Sequence, residues 1–90
     1  MTTLRVERLL KIVEAVLAHY DMPLETLKFG RSRDAVEARR VVVLLAYDKA
    51  DAFSSDIRKV LECAWPSSIF GAAKDDPYAL RESERVEVDL

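Results

Sequence analysis

Val41-Val-Val-Leu-Leu-Ala-Tyr47 is the stretch on which the fold of this chain turns. It is the longest uninterrupted apolar run in the sequence. Runs of β-branched residues this short suit a buried strand as well as a buried helix. Two neighbours favour the helix. Ala35-Val-Glu-Ala-Arg-Arg40 on its N-terminal side has helical character, and no partner for a hairpin stands nearby. A helix that is apolar all round belongs at the centre of a bundle. The reading is therefore a long central helix over 34–50, with further helices packed on it.

Working outward, Leu9, Ile12, Val13, Val16, Leu17 and Tyr20 recur at helical spacing, with Arg8, Lys11 and Glu14 on the other side. This predicts an amphipathic helix over 3–19, ended by Asp21-Met-Pro23. Pro23 suits the first turn of a short helix through Phe29, and Gly30 suits its stop. On the C-terminal side, Ser54 and Ser55 offer capping oxygens for a helix over 56–62, with Asp56 in its first turn. Cys63-Ala64-Trp65 then reads as a turn. Pro66 opens a further helix through Lys74, and Asp75-Asp-Pro77 ends it. Arg81–Leu90 reads as a frayed or disordered acidic tail, because its alternating Val86-Glu-Val-Asp-Leu has no strand to pair with. The expected architecture is all-α: a compact bundle of about five helices over residues 1–80, containing a helix-turn-helix, and a flexible acidic tail over 81–90.

Composition agrees. Ninety residues make one small domain, and 50% hydrophobic with 33% charged residues is enough for a core. With 2 Gly and 3 Pro, a turn-rich sandwich is disfavoured. A single cysteine, Cys63, cannot form an internal disulfide, so a stapled secreted scaffold is not expected. The charged start Met1–Arg8 does not resemble a signal peptide, and no apolar run is long enough for a membrane span. A reducing cytoplasm is the expected compartment.

The formal net charge of -2 argues against a nucleic-acid partner only until it is divided along the chain. Residues 1–74 carry 12 basic and 10 acidic groups, whereas 75–90 carry 2 and 6. Lys28, Arg31, Arg33, Arg39 and Arg40 fall within 13 residues that hold only Asp34 and Glu37 as counter-charges. Arginine's planar fork suits phosphates and guanine edges, so a loop with Arg31 and Arg33 ahead of a helix with Arg39 and Arg40 is a candidate phosphate clamp. The competing reading is a solvated face in which Asp34 pairs with Arg33 and Glu37 with Arg40.

A short helix, a turn and a second helix beginning Trp65-Pro-Ser-Ser-Ile69 have the shape of a helix-turn-helix. Here the sequence resembles the C-terminal DNA-binding domain of the bacterial replication initiator DnaA, a helical domain of the Trp-repressor-like superfamily. Over 38–74 the match has no gaps, and it extends more loosely back to Ile12. Upstream, "AHYDMPLETLKFGRSRDAVEARR" resembles that family's entry helix, its short helix, its basic loop and the arginine opening its central helix. In "VVVLLAYDKADAFSSDIRKVL", Ile57 and Leu61 fall on the apolar positions of the first helix-turn-helix element. "AWPSSIFGAAK" lies over the recognition element "RDHTTVxHAxxK". Ser67 and Ser68 match its threonines, Ile69 its valine and Ala72 its inward-packing alanine.

The resemblance implies that Arg31, Arg33 and Arg39 contact phosphates or a neighbouring minor groove; the charge clustering adds Lys28 and Arg40 as candidate DNA contacts. It also implies that Ser67, Ser68 and Lys74 lie on the helix that enters the major groove. Ala64-Trp65-Pro66 replaces the family's Arg-Asp-His, and Glu62-Cys63 stands at the glycine of its turn. The family's own target sequence is therefore not implied. Trp65 could wedge into a groove, or pack within the turn.

His19 is the single histidine and has no clustered second ligand, so no metal site is expected, nor any cofactor. Pairing it with Cys63 as a catalytic dyad would match two residue types and nothing more, and a non-enzyme is expected. The expected function is a stand-alone module that binds double-stranded DNA, with a regulatory or replication-associated role. The alternative is a protein-interaction or inhibitor module that keeps the fold and has lost DNA binding. A homodimer is compatible with both, since helix-turn-helix proteins often read two half-sites.

Overall fold

The apolar run forms the middle of a helix, and that helix organises the molecule. The computed structural model describes residues 4–62 and 65–88. Along the chain these form α1 (Leu4–Tyr20), α2 (Leu24–Phe29), α3 (Arg33–Lys49), α4 (Ser54–Leu61), α5 (Ser67–Asp75) and α6 (Pro77–Arg85), with no strand among the described residues. Val41, Val42 and Val43 are completely buried, because α3 packs against each of the other five helices. Surrounded in this way, a helix needs apolar residues on every side, which explains a run without amphipathic period. α1 lays Leu9, Ile12, Val13 and Val16 against this centre, the stripe expected from its spacing. No helix of the described residues is long and apolar enough to cross a membrane.

Local chemistry sets the helix ends. Ser32 Oγ accepts from the Ala35 amide at 3.2 Å and caps α3. α4 differs from expectation. Ser54 and Ser55 are not its caps; Phe53 precedes the helix, and the Asp56 carboxylate accepts from the Phe53 amide at 2.9 Å. Glu62 closes α4 in the left-handed region at φ 52, where glycine is usual. Cys63 and Ala64, read from sequence as part of a turn, lie outside the described residues.

The acidic tail is the largest correction. Residues 81–85 continue a helix that begins at Pro77 and crosses the boundary expected at residue 80. Asp76-Pro77 ends α5, as read, but the same pair is also a strong start signal. Asp76 Oδ1 accepts from the Tyr78 and Ala79 amides at 3.0 and 3.2 Å, and Pro77 occupies the first helical position. Ala79 and Val86, seven positions apart on one face, are buried against the core. Val86–Val88 forms no strand, and Asp89 and Leu90 lie outside the described residues.

The other oxygen of Asp76, Oδ2, accepts from Arg40 Nη1 at 2.7 Å and ties α6 to α3. The Arg40 hydrogen bond outweighs burial, and with the two amide donors it holds the Asp76 carboxyl below the usual aspartate range. The folded-state value is depressed, so this stabilisation is complete above the unfolded value of about 4 and disappears as the pH falls through the folded one. Acid titration of unfolding free energy should therefore show a component that Asp76→Asn lacks. Identical acid limbs for the two proteins would count against it.

Candidate nucleic-acid interface

The end of α2 gives the basic loop its shape. A helix leaves its last carbonyls without intrahelical donors. Here Thr26 O is taken by the Gly30 amide at 2.8 Å. Leu27 O accepts from Arg39 Nε at 2.7 Å, Gly30 O accepts from Arg39 Nη2, and Lys28 O accepts from Trp65 Nε1 at 3.2 Å. Gly30 stops α2, as expected, with φ -63 and so without the left-handed backbone that glycine often supplies there. Glycine is required there for space: a Cβ would stand 2.5 Å from Thr26 O and 3.0 Å from Ala35 Cβ.

These bonds draw the loop to the start of α5. Lys28, Phe29, Arg31, Arg39, Trp65 and Ile69 border one surface hollow, with Gly30 and Pro66 between them. Arg31 is exposed and has no ion-pair partner among the described residues. Arg33 is likewise exposed and has no ion-pair partner among the described residues, but it borders a different hollow, with Glu37 and Tyr78. Ser67 and Ser68 are exposed in the first turn of α5, which Pro66 precedes without a side-chain cap.

Several expected site residues have other employment. Trp65 is only 4% exposed, its ring 6.5 Å from that of Phe70, so of its two readings from sequence it takes the packed one, and its place among the DNA-contacting residues is corrected. The indole is large and its N–H has a partner inside, so the turn buries it. The Arg39 guanidinium is occupied by the carbonyls of Leu27 and Gly30. Arg40 is bonded to Asp76 on the α6 side. Arg40 does not form the pair with Glu37 considered from sequence: Glu37 instead accepts from the Tyr20 hydroxyl at 2.6 Å. Burial, reinforced by that carboxylate, pushes the Tyr20 phenol far above its ordinary range, so it remains a donor. Lys74 stands away from the loop, its ammonium 5.4 Å from the centre of the Tyr47 ring in a second hollow with Asp51 and Phe53. Ala73, not Ala72, is the fully buried alanine of α5, because its neighbour lies one helical step around.

Two residues at this surface escaped the sequence reading. Arg58 donates from Nε to Trp65 O at 3.1 Å, reaches Ser67 Oγ at 3.5 Å and lies 5.0 Å over the Phe70 ring. Nothing in its spacing announced that bridge. Phe29 did carry a signal. It is two positions, about 200° of helical turn, from the buried Leu27 and so faces outward. His19, set aside as a ligand, is 2.8 Å from Glu82 and joins α1 to α6.

No family model matches this chain, and neither do curated proteins or solved structures.

Proposed function

We propose that this chain is a DNA-binding module of the helix-turn-helix type resembling the DnaA C-terminal domain, and not an enzyme, with α4 and α5 as the two helices. The observation that carries this reading is the single hollow bordered by both the basic loop and the start of α5. Lys28 and Arg31 would neutralise phosphates on one flank, and Arg33, two positions on, a further phosphate beyond the hollow. The uncapped first turn of α5 offers amide donors and the Ser67 and Ser68 hydroxyls, with the positive end of a helix dipole behind them. Arg39 and Trp65 act indirectly on this reading: they fix the loop and do not touch the nucleic acid.

The test is duplex binding at several salt concentrations. The double variant Arg31→Ala, Arg33→Ala should weaken binding uniformly across sequences and flatten the salt slope by about 1.8, at about 0.9 per phosphate contact. Absence of salt-dependent binding to any duplex would overturn the reading. It would leave the protein-interaction alternative, which the internal use of Arg39 and Arg40 and the exposed Asp34 and Glu62 favour.

A further inference from the structure

We infer that Phe29 is a wedge that enters a base-pair step of duplex DNA from the groove beside the basic loop, unstacking that step and bending the duplex. The inference rests on the DNA-binding reading and adds the mode of contact. Phe29 is 66% exposed, and other aromatic rings of this chain are comparably so, but their surroundings differ. Phe53 also has a cation over its ring, but that cation, Arg5, is 3.5 Å from Asp56, and Asp51 shares the Phe53 hollow. Tyr78 borders a hollow in which Glu37 and Asp76 offset Arg33 and Arg40, so its surroundings carry no cationic excess. The hollow bordered by Phe29 is lined by Lys28, Arg31 and Arg39 and by no carboxylate. A ring held out among cations is matched to a polyanion with an apolar interior, which is what a stacked duplex is.

The mounting supports the same role. A wedge must not fold back when it meets resistance, and the backbone on either side of Phe29 is anchored. Lys28 O is held by Trp65 and Gly30 O by Arg39. The Lys28 ammonium lies 5.3 Å from the centre of the Phe29 ring, over its face. It keeps the ring outward in the free protein, and it can move to a flanking phosphate when a base pair takes its place.

Duplexes carrying 2-aminopurine at successive positions, with a donor–acceptor dye pair on their ends, test this. At saturation the wild-type protein should raise 2-aminopurine emission at one step and bring the duplex ends together. Phe29→Ala should abolish both signals and weaken binding about tenfold. Its salt slope should be unchanged, since no phosphate contact is lost, and so should its melting temperature, since the ring is exposed. Phe29→Leu keeps an apolar wedge and should retain part of both signals. A saturated wild-type complex with neither signal overturns the wedge and leaves DNA binding standing, as does Phe29→Ala behaving like wild type. Absence of salt-dependent binding overturns both.

Discussion

Replacing Val42 with aspartate should leave the chain without a cooperative thermal transition. The side chain is completely buried in a helix that touches all the others, so a carboxylate there has neither water nor a cation to meet. An uncompensated buried charge costs several kcal/mol even after the surroundings relax. A domain of this size has a total stability of about 5–13 kcal/mol. The penalty therefore takes most or all of it. Far-UV circular dichroism during heating is the measurement, with Val42→Ala as the control. Alanine keeps helix propensity and removes two methyl groups, so it should cost about 2 kcal/mol and still melt cooperatively. An aspartate variant melting like wild type would mean that α3 is not enclosed.

Trp65→Ala is the second large effect, and it acts on both stability and the candidate interface. Truncating a buried tryptophan to alanine costs about 3–5 kcal/mol through lost transfer energy and the cavity left behind. In a domain of this size that lowers the melting temperature by about 15 °C or more. The indole also supplies the donor to Lys28 O, so the variant frees the end of α2 as well. Amide hydrogen exchange should show residues 28–33 losing protection beyond the global change. Trp65→Phe separates the two: most of the packing survives, the N–H donor does not, and the cost should be about 1 kcal/mol. If Trp65→Phe leaves exchange at 28–33 as in wild type, the indole bond does not hold the loop.

Much of this architecture was legible in the order of residues, and the failures have definite causes. The 3.6-residue period of α1 and the unbroken valines of α3 pointed directly to a peripheral and a central helix, because burial geometry writes itself into spacing. α6 is hidden in the sequence because Asp76-Pro77 both ends one helix and begins the next, and the two signals use the same residues. With so short a buried stripe, Ala79 and Val86, the apolar pattern does not reveal it. At the candidate interface the types of residue were legible: the arginine-rich loop and the serines of α5 stood out. Their division of labour was not, since whether an arginine serves a phosphate or a carbonyl depends on what the fold brings beside it. Arg31 and Arg39 look alike in sequence; only the packing of α2 on α3 distinguishes them.

The carbonyls at the end of α2 have one more consequence. Their donors come from 12 positions away at Arg39 and 37 away at Trp65. A six-residue helix is too short to persist alone in water, so these distant partners decide whether α2 exists at all. The surface between loop and α5 is thus non-local information. It assembles late, once the loops separating those positions have closed, and it assembles all at once. No excised peptide inherits it, and the basic loop grafted onto another scaffold would carry its charge without its shape.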